Sequence, residues 1–214
     1  MPRARAAAWS SARVVTPAAY AAYPPGMADP ISWLGTPSLD DAPARTRALI
    51  DRVSEARGFT PNVWRSLAMG EDRLADAFGY LLQLMAREGT HLGAREKELM
   101  AVVVSVENRC LYCVIAHGAA LAAVSDQLLA REVAVNYRHA PGLSPRERAL
   151  CDFAAALTTA PAGQSAADLD ALRAHGLDDA AILEAIEVVS FFNYTNRVAA
   201  AMGLQPDPEY LAQY

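Results

Sequence analysis

Two cysteines, Cys110 and Cys113, stand three residues apart, and His117 follows four residues after the second. On a helix these spacings put all three on one face. Two thiols one turn apart can close a reversible disulfide, and each can stabilise a thiolate on the other. The thiolate is the reactive form, and the partial positive charge of a helix N-terminus favours it. Asn108 is the expected N-cap, which would put Cys110 in the first turn, with Arg109 adding charge beside it. His117 can accept or relay a proton near neutral pH. Glu98 lies twelve residues before Cys110 and opens the apolar run LMAVVVSV. A charge there is costly unless it is used, and burial would raise its pKa toward that of a working base.

Spacing alone leaves three readings of this set open. It is a redox dithiol that reacts with a peroxide or a disulfide. It is a metal site, with Cys110, Cys113 and His117 as three zinc ligands and His91 as the one plausible fourth. Or it is two buried thiols that pack as small apolar groups beside a core histidine. Cys151, on the apolar side of a capped helix, reads as a buried inert thiol, and His139 and His175 read as solvated. Phe191, Phe192 and Tyr194 read as core or subunit interface. Asn193, Asn196 and Arg197, at the end of an apolar helix, suggest buried hydrogen bonding.

The elements that must position these residues are helices. The chain of 214 residues holds 45 alanines, and alanine is the best helix former. Leu49, Ile50, Val53 and Ala56 form one apolar stripe over 43–57, and Gly58 closes that helix. Further helices are expected over 71–88, 94–107, 109–123, 125–136, 165–174 and 178–202, with a short one opened by Thr60 and Pro61. Ser144, Pro145 and Glu147 start another, which runs to about Leu157, with a capping box. The β-branched run Val102–Val104 is read as helix because its neighbours carry no strand pattern. No hairpin or alternating strand–helix signal occurs, so the expected fold is all-α, with about eight helices in a compact bundle. Residues 92–121 and 177–204 share a faint pattern, which is read as an internal duplication of a helical unit.

Composition excludes several classes. A net charge of −5 argues against a nucleic-acid platform. No apolar run reaches the roughly 18 residues that a membrane span needs. Three cysteines are too few for a disulfide-built scaffold. Residues 1–30 are rich in Ala, Pro and Arg, have no acid before Asp29, and are expected to be a disordered extension. Residues 31–214 are expected to form a single helical domain.

Glu98, Cys110, Tyr112, Cys113 and His117 together resemble the signature of the alkylhydroperoxidase D / carboxymuconolactone decarboxylase superfamily, and its peroxidase-related branch in particular. Asn108, the opening ISWLG and the ending FFNYTNRVAAAMGL are similar to that branch, over about residues 30–210. The resemblance implies an alkylhydroperoxidase-like enzyme on a compact all-α bundle. Cys113 would attack the O–O bond of a hydroperoxide, Cys110 would resolve the sulfenic acid as a disulfide, and Glu98 and His117 would relay protons. It also implies a dithiol or lipoyl-type reductant, no haem or metal, and a cytoplasmic setting. Some relatives carry a His between the cysteines, where this chain has Leu111 and Tyr112. A non-catalytic redox sensor or metal-binding protein on the same scaffold is the alternative. The resemblance further implies a homo-oligomer, a trimer or a hexamer. Light scattering at several concentrations tests this: an assembly is expected, and a monomer at micromolar concentration would refute it.

Overall fold

In the computed structural model the described residues are 31–36, 38–86 and 90–213. The expectation for residues 1–30 lies outside them. Among the described residues there are ten α-helices and no strand. They are α1 (Ala44–Arg57), α2 (Asn62–Ser66), α3 (Glu71–Leu84), α4 (Ala94–Glu107) and α5 (Leu111–Val124). They continue as α6 (Gln127–Asn136), α7 (Pro145–Thr159), α8 (Ala166–Ala174), α9 (Asp179–Met202) and α10 (Pro208–Gln213). The all-α expectation holds. The short α10 was missed because six residues are too few to display a helical period.

Local chemistry sets most boundaries. Gly58 closes α1 in the left-handed conformation, φ 77°. Ser144 caps α7 with the expected box: its hydroxyl accepts from the Glu147 N–H, and the Glu147 carboxylate accepts from the Ser144 N–H. Asp126 and Asp178 cap α6 and α9 in the same sense. Gly203, φ 62°, ends α9. A side chain at Gly203 would strike the Trp33 ring, which lies against its backbone. That approach is held by two backbone bonds, Trp33 N–H to Met202 O and Gln205 N–H to Ile31 O, so the entry segment docks on the end of α9.

Helix α4 is the centre. Its residues from Leu99 to Ser105 are all buried, and α5, α7 and α9 pack around it. Fully burying each of its Leu, Met and Val side chains contributes roughly 1.5–3 kcal/mol. Within this shell the β-branched run Val102–Val104 is helical, since a helix satisfies its own backbone in a site that water cannot reach.

Lys97, the chain's one lysine, is completely buried on α4. Its ammonium donates to Leu84 O, Ala86 O and Thr90 Oγ1, and it pairs with Glu184 Oε1 at 3.4 Å. The other carboxylate oxygen of Glu184 accepts from the N–H groups of His91 and Leu92 at 2.7 and 3.1 Å. This pair explains why α3 stops at Leu84 and not at residue 88: its last carbonyl and a following one are taken by Lys97. It also fixes the start of α4, and so the position of the adjacent Glu98. Removing one partner of a buried ion pair costs about 3–5 kcal/mol, because the other charge is left unpaired. Lys97→Met is expected to lose that much in urea unfolding, and a change below 1 kcal/mol would refute the clamp.

Candidate active site

The two cysteines sit at a sharp corner between α4 and α5. Asn108 caps the C-terminus of α4, and Arg109 follows with φ 54°. The Arg109 N–H donates to Val106 O and the Cys110 N–H to Ser105 O, the paired bonds of a Schellman motif. That motif normally takes glycine at the left-handed position. Among the described residues Arg109 is the one non-glycine with positive φ, and the conformation costs a side-chain-bearing residue about 1–2 kcal/mol. The corner corrects the expected capping. Cys110 itself is the N-cap of α5, while Asn108 ends the preceding helix and turns its amide inward. Asn108 was a plausible cap by residue type, but its backbone was already needed to finish α4.

The thiols are free, buried, and 2.8 Å apart, sulfur to sulfur. At that distance the Cys110 thiol donates a hydrogen bond to the Cys113 sulfur. A first negative charge is stabilised by the remaining thiol, and a second is opposed by the first. The Cys110 thiol is held below its ordinary range by the hydrogen bond with Cys113, against the effect of burial. Cys113 is pushed well above its range by the same bond, then by burial and by the charge on Cys110, while Asn196 acts the other way.

His117 lies one turn beyond Cys113 on α5. Its Nδ1 is 2.8 Å from Glu98 Oε2. With that nitrogen donating to the carboxylate, Nε2 is the atom left for proton exchange. The ring stands edge to face against Phe192, centroids 4.5 Å apart, which fixes its plane. Cys113, His117 and Glu98 all line one cavity of about 90 Å³. Its apolar walls come from elements far apart in sequence: Trp64 on α2, Phe78, Leu81 and Leu82 on α3, and Ala199 on α9. Cys110 is absent from this lining and sits behind Cys113.

The structure therefore brings the four expected residues together as two pairs, thiol on thiol and imidazole on carboxylate. The zinc arrangement differs from this: His117 faces Glu98, and among the described residues no three His, Cys, Asp or Glu side chains form a group able to hold a metal. His91 is exposed and contributes only its backbone N–H to Glu184. Tyr112 is buried, and its hydroxyl accepts from the Val63 N–H at 3.3 Å and faces Asp207, so it docks the C-terminal segment. Sequence reasoning missed the walls from α2 and α3 and missed Tyr210, which lines the cavity from α10. It did single out Asn193 and Asn196, which the fold joins to Asn108 beneath the cysteines.

Comparisons with known proteins agree with this fold. Residues 73–127 match the Carboxymuconolactone decarboxylase family. A peroxidase-related protein from Ralstonia eutropha JMP134, named as an alkylhydroperoxidase AhpD core, is 38% identical. Its structure superposes with a TM-score of 0.81 over 86% of this chain and 96% of that one. A peroxidase-related protein from Silicibacter sp. TM1040 is 39% identical, with a TM-score of 0.79 over 86% and 97% of the two chains. The debrominase Bmp8, 22% identical, shares the fold over 86% of this chain and 95% of its own, with a TM-score of 0.69. No curated protein matches the chain. The chain belongs to the AhpD-like carboxymuconolactone decarboxylase superfamily.

Cys151 is fully buried on α7, and burial pushes its thiol up to about 12. Alkylation should therefore separate the three cysteines. The lowered first ionisation of the Cys110–Cys113 pair gives label at pH values below the ordinary thiol range of about 8.5. Cys151 stays unlabelled there until denaturant is added. Peptide mapping after brief iodoacetamide treatment reads this, and early labelling of Cys151 would contradict it.

Proposed function

We propose that the protein is a thiol-dependent peroxidase that reduces organic hydroperoxides. One observation carries the reading: Cys113 opens onto an apolar cavity that also holds the His117–Glu98 pair, with Cys110 2.8 Å behind it. Membership of a superfamily with peroxidase-related relatives supports it.

The steps follow from this placement. The pair gives its first proton to His117 across the cavity, and a proton then passes from Cys113 to the Cys110 thiolate along their hydrogen bond, which leaves the charge on the sulfur that faces the cavity. That thiolate attacks the outer oxygen of the hydroperoxide. The O–O bond breaks, Cys113 becomes a sulfenic acid, and the alkoxide takes a proton from His117 and leaves as the alcohol. Glu98 keeps the imidazole oriented. Cys110 then attacks the sulfenic sulfur, the S–O bond breaks, and the hydroxyl leaves as water with the Cys110 proton. The resulting disulfide is returned to two thiols by a dithiol or lipoyl-type reductant, which is itself oxidised to a disulfide. No metal or other cofactor takes part in these steps. A working dithiol needs a reducing compartment, and the cytoplasm is the proposed setting. Among the described residues no helix is long and apolar enough to cross a membrane.

The aromatic walls favour an organic hydroperoxide over hydrogen peroxide, because the apolar body gains burial that the small peroxide cannot. Wild type is expected to consume cumene hydroperoxide with a dithiol reductant at higher kcat/KM than hydrogen peroxide. Cys113→Ser should abolish turnover. His117→Gln and Glu98→Gln should lower kcat by about 10²- to 10⁴-fold, the usual reach of general acid–base catalysis. In Cys110→Ser, one equivalent of peroxide should leave a single added oxygen on Cys113 by mass spectrometry. Equal peroxide consumption by wild type and Cys113→Ser would sink the assignment.

A further inference from the structure

The cavity at Cys113, about 90 Å³, falls well short of the roughly 300–1,000 Å³ that encloses a whole small organic ligand. It has room for one end of such a molecule, and the rest must pass out through the mouth. Burial marks where the mouth is. Of the described residues that line the cavity, Arg57 alone is exposed, in the last turn of α1. Deeper polar side chains of the lining are engaged within the protein. Glu98 holds His117, the Tyr112 hydroxyl accepts from the Val63 N–H, and the Thr195 hydroxyl donates to Phe192 O.

Arg57 differs from these. Among the described residues its guanidinium forms no ion pair, and it stands over the face of the Tyr210 ring, 5.7 Å from the centroid. Tyr210 is itself held: Phe59 meets it edge to face, centroids 5.1 Å apart. The turn that carries Arg57 and Phe59 is tied by the Gly58 N–H to Ser54 O and by the Ser54 and Thr60 hydroxyls, 2.8 Å apart. A guanidinium stacked on an aromatic face is held in direction while its fork of N–H donors stays open.

We propose that Arg57 is a specificity-determining residue that takes the carboxylate of an amphipathic hydroperoxide, whose apolar body runs from the mouth to the peroxide group at Cys113. The inference rests on the peroxidase reading for the reacting group, but the anion site rests on the cavity alone. A guanidinium fork matches a carboxylate in two parallel hydrogen bonds. One guanidinium balances one charge, which suits a carboxylate better than a dianionic phosphate. The negative group of the lining, Glu98, is covered by His117 and leaves the rim to Arg57. The apolar walls between rim and thiol supply burial for the chain that joins the two ends.

The experiment uses octanoate and 1-octanol, which differ at the head group, and reads how each protects Cys113 from iodoacetamide, by peptide mapping in the full chain. The reagent is neutral, and rates with and without probe are compared within each variant, so a change in thiol reactivity cancels. Octanoate is expected to half-protect at about fivefold lower concentration than 1-octanol, the upper reach of an exposed ion pair. Arg57→Met should remove that preference, and Arg57→Lys, which keeps the charge but not the fork, should retain part of it. Arg57→Gln decides the question if Arg57→Met loses its helicity. In turnover, a hydroperoxy fatty acid should show a lower KM than its methyl ester in wild type, with the ratio lost in Arg57→Met. Equal protection by the two probes in wild type overturns the proposal. So does protection by neither probe, or an octanoate preference that survives in Arg57→Met. Protection by octanoate that depends on Arg57, with no turnover of any hydroperoxide, would instead strike the peroxidase reading and leave the anion site standing.

Discussion

A helix that is buried on every side must be surrounded before it can be stable, and α4 is such a helix. Its apolar residues from Leu99 to Val104 have no solvent face, so α5, α7 and α9 are recruited to cover it. The arrangement has a chemical consequence. Polar groups carried by α4 are either at its ends or held by partners inside the protein. Lys97 and Glu98 stand at the start, and Ser105 and Asn108 at the finish. Each is held by another element: Lys97 by the turn after α3 and by α9, Glu98 by α5, Ser105 and Asn108 by α9. The site is thus assembled at the rim of the buried central helix, where side chains are packed on several sides.

The same burial governs the sulfurs. In water two thiols would titrate independently near the ordinary value. Here they are removed from solvent and held within hydrogen-bond reach, so the proton of one is the stabiliser of the other. What the pair can do then depends on which neighbours donate to it and which side faces the cavity. Cys113 has the cavity, while Cys110 has the N-cap position of α5 and the closed side. The residue that departs most from ordinary backbone, Arg109, lies at the joint that creates this difference. Strain at that corner is offset by the packing of the two helices it connects.

Much of this was legible along the chain. Alanine content, apolar period and capping residues such as Ser144 and Gly58 are local signals, and they gave the helical class and most of the boundaries. The cysteines, His117 and Glu98 could be listed because their residue types are rarely placed in such a pattern without chemistry. Asn193 and Asn196 stood out as amides in an apolar helix. Other features left no local trace. Lys97 carries no local signal of its place, although the fold buries it completely. Asn108 read as a cap for the helix after it and proved to be the end of the one before. The aromatic wall of the cavity is built from α2, α3 and α10, none of which carries a motif.

The sequence by itself determined which elements form and which side chains were available for thiol and proton chemistry, because helix propensity, capping and residue type act over a few residues. Only the tertiary structure decided how those side chains pair. That the imidazole meets a carboxylate nineteen residues away, that a lysine meets a glutamate eighty-seven residues away, and that an amide of α9 meets the amide at the end of α4 depend on how buried helices pack around α4. That packing is set by the joint burial of many apolar faces, and no single segment holds the information for it.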